Sequence, residues 1–415
     1  MPNNRSQRID VLTLKDILIP SPNSIEIDDS IDTDRISGND TVIHAGCRLF
    51  GSQTLICDGV ELGAEVPVTI KNCFVGPNVK LKGGYFENCV FLEGAEAGSG
   101  AHVRAGTIFE EQASIAHTVG LKQTILFPFV TLGSLINFCD CLMAGGTSRK
   151  NHSEVGSSYI HFNYTPNQDK ATASLIGDVP NGVMLNQNPI FLGGQGGLVG
   201  PCRIAYGTVI AAGSIYRKDV LKPDHLVFEG GGRGGSVPYT TGIYRAVKRQ
   251  ATNNIVYMAN LFALMAWYTH IRGLFVGERF PKALYQGLID TLKTAIDERT
   301  KRFSAFCEKL QHSLQLYEKQ MGDSASGKLV QQKKELIANQ NLVVERIGEN
   351  LAQIETYANP KFISIIEKKI AVCDPVYIDV IKSLDHVQAQ LGTQWLQQIV
   401  ERMVAQMLDL FPSLR

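Results

Sequence analysis

The chain has 415 residues, 44% of them hydrophobic and 19% charged, with 40 Lys and Arg balancing 40 Asp and Glu. That composition excludes wholesale disorder. A formal net charge of zero excludes a chain built to coat nucleic acid or an acidic membrane surface.

The opening stretch, MPNNRSQRIDVLTLKD, has no basic segment followed by an apolar one, so it does not read as a signal peptide. Residues 1–39 stand as an N-terminal segment. From about residue 40 to 228 the apolar residues repeat every sixth position. Counting from Cys73, the positions are Val79, Tyr85, Phe91, Ala97, Val103, Phe109, Ile115, Leu121 and Phe127. The same step occurs at Ile43, Leu49 and Leu55, and again at Leu198, Ile204, Ile210 and Tyr216. Small or β-branched residues follow four positions later, as at Thr107, Thr131, Thr208 and Ser214. Neither a helix nor a flat strand gives this period. A parallel β-helix does, with one hexad per flat face and three hexads per coil. The nine cysteines are scattered and form no CxxC pair. Cys139 and Cys141 are spaced to share one face of a strand, and they read as buried free thiols rather than a zinc site.

The hexads break between Gly145 and Gly193. This interval holds Arg149, Lys150, His152, Glu154, His161, Asn163, Tyr164, Gln168, Asp169 and Lys170. A coil wall needs no such residues, so a projecting loop is expected. A histidine there suits a general base acting on an amine or hydroxyl, and the neighbouring Lys and Arg suit a phosphate. Arg149 and Lys150 beside His152 favour its neutral form. His161 and Asn163, two apart, would share a strand face. The preferred roles are therefore His152 as base and His161 as substrate contact.

Glycine then divides the chain: 31 of 39 fall before residue 241. Residues 229–240, with the run EGGGRGGS, read as a linker. Residues 241–415 read as an α-helical domain. Asn254–Leu274 is largely apolar, and Lys282–Gln320 and Leu329–Tyr357 carry apolar residues at steps of three and four. Asn359-Pro360, Asp374-Pro375 and Gly392 punctuate the rest. The longest apolar run, Ile255–Trp267, is interrupted by Asn260 and is too short to span a membrane.

Residues 191–220, FLGGQGGLVGPCRIAYGTVIAAGSIYRKDV, resemble the last coils of the bacterial bifunctional enzymes that make UDP-N-acetylglucosamine, members of the hexapeptide-repeat transferases. Upstream, Asn163-Tyr164 followed by Thr172 and Ile176-Gly177-Asp178 is similar to that family's Asn-Tyr-Asp loop ending in Thr-Ile-Ile-Gly-Asp. The resemblance implies a left-handed parallel β-helix, followed here by the helical domain, in a homotrimer with its site between adjacent subunits, and the absent signal peptide and free thiols lead to the expectation of a cytoplasmic chain. It implies acyl transfer from acetyl-CoA or another acyl-CoA to a sugar or nucleotide-sugar substrate, with no metal, nucleic acid or membrane partner. Asn163 and Tyr164 would contact the sugar. Lys170 would meet its phosphate. Ala211 would lie along the pantetheine arm, and Lys218 would stand near the coenzyme.

There are departures. The family's Gly-rich nucleotidyl-transfer loop does not occur, so uridylyl transfer is not expected. Thr165 stands third in the Asn-Tyr-Asp motif. Val179 to Asn188 are inserted before Pro189. The family's catalytic histidine precedes Asn-Tyr by more than one coil, whereas His152 precedes Asn163 by eleven residues. Two other readings stand beside the transferase. One is a non-catalytic trimeric scaffold or nucleotide-sugar-binding protein. The other is a zinc β-helix enzyme, which needs a close histidine pair, whereas His102 and His117 are fifteen apart.

Overall fold

The computed structural model describes residues 4–167, 171–229, 236, 238–372 and 376–415. Residues 18–227 wind into a parallel β-solenoid of about eleven turns. Face 1 is a ladder of ten strands, one per turn, from Val42–Ile43 to Leu226–Val227. Faces 2 and 3 join into one sheet because Val119–Leu126 and Ile136–Met143 each run round a corner. At the corner between faces 2 and 3, Asn72, Asn88, Gln123 and Asp140 have φ of 50°, 49°, 53° and 59°. Asn and Asp tolerate this left-handed region better than most residues, which is why short polar side chains stack there.

Nine of the ten hexad residues from Cys73 to Phe127 point into the coil and are buried. Tyr85 is the exception, and Phe86 fills its place inside. The cause is coil length. Thr69 pairs with Tyr85, sixteen residues on, two short of three hexads, so the inward register slips by one. The coil also begins earlier than residue 40. Leu18 bridges to Val42, Glu26–Ile27 pairs with Arg48–Leu49, and Ile25 and Ile36 are buried. Helix α1 (Asn4–Leu14) packs against this first turn.

Cysteines form part of an inward column beneath face 3. Cys89 stacks on Thr107, and Thr124 on Cys141 and then Ser174. The eight described cysteines are free thiols, and burial raises Cys57 and Cys202 to about 12. Cys139 and Cys141 do not share a face. The corner at Asp140 lies between them, leaving Cys139 half-buried and Cys141 inside.

The helices are α2 (Val179–Gly182), α3 (Val247–His270), α4 (Lys282–Met321), α5 (Gly327–Ala352), α6 (Pro360–Ile370), α7 (Tyr377–Lys382) and α8 (His386–Leu408). From α3 onward they do not form a detached domain: α3 and α4 lie on face 3, α5 packs on α4, α8 on α3, and α6 on α8. The outward column of that face is apolar over seven rungs, Leu55, Phe74, Val90, Ile108, Ile125, Leu142 and Leu175, before it reaches Arg203. Val90, Ile108 and Leu142 are fully buried, although they point away from the coil axis. Helix α4 crosses the strands at Phe74–Val75, Cys89–Phe91 and Thr107–Phe109, and α3 lies against Ser174–Ile176. Gly287 on α4 allows this approach, because a Cβ there would sit 2.3 Å from the Phe74 ring.

Polar side chains fix the layer at both edges of face 3. Arg299 on α4 reaches the Asp140 corner at 2.7 Å. Arg272, after α3, pairs with Glu111 at the opposite corner. Asn253 bonds to Asp219, Asn254 to the Ala171 carbonyl, and the Asn260 side-chain oxygen accepts from the Val179 N–H. These asparagines satisfy backbone groups where the coil is irregular. The inserted segment 179–188 now has a reason, since it carries α2, which packs on α3 and α8. Among the described residues no helix is long and apolar enough to cross a membrane.

Candidate functional site

The polar interval leaves the coil at two corners. At the corner between faces 3 and 1, Gly146–Ser148 and Asn151–His152 form an antiparallel hairpin. At the corner between faces 2 and 3, the chain leaves the coil after Ile160–Phe162 and returns at Ser174. Glu154–Val155 and Ile160–Phe162 themselves are wall strands of the coil.

The hairpin leads directly into face 1. His152 Nδ1 lies 2.9 Å from the Arg149 carbonyl. A carbonyl only accepts, so Nδ1 is the donor here and Nε2 is the nitrogen left to face outward chemistry. Nε2 is 4.0 Å from Glu154 Oε2, and the side chain is 20% exposed. A general base needs this orientation and accessibility. Arg149 has a different occupation from a substrate clamp. Its Nη1 donates to the carbonyls of Gln112 (3.0 Å) and Phe129 (2.8 Å) and to Thr131 Oγ1 (2.9 Å), which ties the hairpin to the corner. Lys150 at the tip is exposed.

Face 1 also carries Ala211. Over six consecutive rungs its outward column toward the corner with face 2 is made of small residues, Gly98, Ala116, Gly133, Gly156, Gly193 and Ala211, in rung register. A groove of about 410 Å³ lies over the first three. Gly193 leaves no room for a side chain, because a Cβ there would stand 2.3 Å from the Ala212 N–H nitrogen. Next to it Phe191, Val209 and Leu226 form an exposed apolar ladder.

His161 is elsewhere. It stacks inside the coil beneath Phe138 and above Leu198. It is 8% exposed, with Nε2 2.8 Å from Ser174 Oγ. Burial lowers its pKa to about 4. The expectation that it meets substrate on the same face as Asn163 meets a physical obstacle. His161 points inward, while Asn163 lies past the end of the strand, exposed. Its geometry is that of a neutral core residue.

At the corner between faces 2 and 3, Asn163 and Tyr164 are exposed, with the Arg217 guanidinium 5.8 Å from the Tyr164 ring centre. Arg217 also pairs with Glu229 at 2.7 Å. Lys218 beside it is exposed. Lys170 lies outside the described residues, as do residues 230–235 of the Gly-rich run. Ile160 pairs with Asn137 on the preceding rung, so the corner above Asn163 carries Cys139 and Asp140. The resemblance implies a histidine more than one coil upstream, but here Asp140 is held by Arg299. The candidates thus divide into two groups at two corners. His152, Arg149, Lys150 and Ala211 belong to face 1, while Asn163, Tyr164 and Lys218 belong to the far edge of face 2.

No family model matches the chain. Curated relatives share the name bifunctional protein GlmU. The protein of Thermotoga petrophila is 27% identical over 217 residues, 52% of this chain and 43% of the relative. That of Pelobacter propionicus is 28% identical over 210 residues, covering 50% and 40%. That of Trichlorobacter lovleyi is 29% identical over 197 residues, covering 47% and 38%. The chain therefore spans less than half the length of the relatives it matches. Together with the parallel solenoid, this similarity bears out the resemblance to the hexapeptide-repeat transferases.

Proposed function

We propose that the chain is a homotrimeric acyltransferase of the hexapeptide-repeat type, moving an acyl group from acyl-CoA to an amino sugar, sugar phosphate or nucleotide sugar. One observation carries the reading: the two candidate groups lie at the same height on the two faces that the helices leave open. If three prisms meet at the corner between faces 1 and 2, face 1 of each protomer opposes face 2 of the next. Cyclic, head-to-tail contacts of this kind close into rings. The hairpin of His152 then meets Asn163, Tyr164 and Lys218 of the neighbour at the outer edge of the interface. Lys170 is assigned the substrate phosphate and Ala211 the pantetheine arm.

In this reading His152 Nε2 takes the proton of the acceptor amine or hydroxyl as that atom attacks the thioester carbonyl. The tetrahedral intermediate collapses, the C–S bond breaks, and the coenzyme thiolate recovers the proton from the imidazolium. His152→Ala lowers turnover by roughly 10²–10⁴-fold if the base is assigned correctly. The decisive experiment mixes two inactive variants, His152→Ala and Asn163→Ala. Every mixed ring contains one interface in which an intact His152 faces an intact Asn163, so activity returns on mixing. If the two groups acted independently within one protomer, mixing would restore nothing.

A second reading, a nucleotide-sugar-binding scaffold, is favoured by the corner one rung above Asn163, which carries Cys139 and Asp140 and no histidine. It takes over if ligand binds and His152→Ala leaves turnover unchanged.

A further inference from the structure

We infer that the cleft between residues 164–167 and the start of α3 is a nucleotide-binding site, holding a planar base at its aromatic rim and a phosphate at Arg245 and the helix N-terminus. The helical segment that forms half of this cleft belongs to the part of the chain for which the sequence shows no family resemblance. The cleft has a volume of about 290 Å³. That is near the small end of small-molecule sites and is enough for one base and its sugar.

Four features converge on it. Tyr164 and Tyr239 line the cleft and leave 63% and 55% of their surface exposed, although both are large aromatics. Rings held open at a rim are stacking platforms for a base, and the Arg217 guanidinium behind Tyr164 holds one of them in place. Arg245 lines the cleft from the opposite side and is itself exposed, with its guanidinium carbon 5.6 Å from the Tyr317 ring centre. Immediately after it α3 begins at Val247, and no side chain caps its first turn. Uncapped N–H groups and the positive end of a long helix favour an anion.

Gln250 supplies the independent sign of a ligand. It lines the same cleft, is 4% exposed, and its side-chain nitrogen has no hydrogen-bond partner. A buried amide left unpaired is costly, and an edge of a base or ribose would satisfy it. Asn167 fixes the cleft's width, its side-chain oxygen accepting from the Gly242 N–H at 2.9 Å.

The chemistry is shared by two sources, the nucleoside diphosphate end of a nucleotide sugar and the phosphoadenosine end of an acyl-CoA. The inference rests on the proposed function only in using Tyr164, and its test needs no turnover. Calorimetric titration of the whole chain with UDP, with adenosine 3′,5′-bisphosphate and with inorganic phosphate separates the cases. Saturable binding of one or both nucleotides is expected, with phosphate alone much weaker. Arg245→Ala and Tyr239→Ala change exposed side chains, and each should weaken the bound nucleotide about tenfold while the melting temperature stays put. UDP binding alone points to a nucleotide sugar, adenosine bisphosphate binding alone to acyl-CoA, and both to a site that accepts either. The inference is overturned if neither nucleotide binds at millimolar concentration, if phosphate binds as tightly as the nucleotides, or if both variants bind like the wild type. Unchanged turnover in His152→Ala, with nucleotide binding intact, would count against His152 as base and leave this cleft standing.

Discussion

A histidine closed inside the coil has to stay neutral, and His161 does so with its pKa pushed to about 4 by burial. Its ordinary value is near 6.5, so between these pH values the unfolded chain binds the proton and the folded chain does not. Stability is therefore present above about pH 6.5 and falls as pH drops toward 4, by up to about 3 kcal/mol. Urea melts at pH 7 and pH 5 check this, since His161→Leu should lose less stability on acidification than the wild type. Equal losses would show that the ring is not desolvated. Glu110 has the opposite sign. Burial beside Glu111 raises it to about 7, so its contribution is full below about pH 4.5 and fades as pH rises through 7. Glu110→Gln should flatten the decline on the neutral side, because the amide oxygen still accepts from the Tyr268 hydroxyl. Neither behaviour was legible in the sequence. The spacing of His161 and Asn163 indicates a shared strand face, but Asn163 lies beyond the strand's end. Glu110 and Glu111 follow a hexad phenylalanine and look like an ordinary exposed corner, whereas the arginine beside them is about 160 positions away. The hairpin that carries His152 was legible as a departure from the coil, because its interval has far more ionisable side chains than a coil wall requires.

Among the elements, the edges of the helical layer are where one side chain decides most. Arg272 is buried, pairs with Glu111 and lies 3.7 Å above the Tyr377 ring, while its Nε and Nη1 have no partner. Removing it leaves a buried carboxylate uncompensated, so Arg272→Ala should cost about 3–5 kcal/mol. The double variant Arg272→Met with Glu111→Leu should recover most of that, as chemical denaturation of the three proteins will report. If the single variant costs less than 1 kcal/mol, the pair does not hold the layer. The helices were readable from their spacing: Lys282–Gln320 is the 40-residue α4 almost end to end. Two punctuation marks mislead. Asn359-Pro360 opens α6 rather than only closing what precedes it, with the Asn359 side chain accepting from Phe362 N–H. Gly392 interrupts nothing. It lies within α8, where a Cβ would meet the Met184 methyl at 2.5 Å. A glycine needed for close packing and a glycine that ends a helix look alike in a sequence. Gly392→Ala should therefore lower the melting temperature although alanine is the better helix former.

For the whole molecule, the solenoid presents three walls and the chain covers one of them itself. The remaining two carry Phe191, Val209 and Leu226 on one side and Ile160 and Ile215 on the other, all exposed in a single protomer. Ile215→Asp, which places a charge on face 2, should convert the proposed trimer to protomers of 45.5 kDa by light scattering, with the far-ultraviolet spectrum unchanged. An unaltered mass would exclude that face from the contact. The six-residue period revealed the walls, but it gave no sign of which one the helices would occupy, since that depends on outward residues that the hexad count passes over. The covered wall has a consequence for assembly. Triangular units that adhere on every side tile outward without limit, whereas units with one blocked side have two contacts to satisfy and finish at a ring. In the proposed trimer, helices α3 to α8 would thus set the valency of the building block. A chain ended at residue 228 should grow into sedimenting polymers rather than a defined oligomer, and ultracentrifugation would reveal that difference.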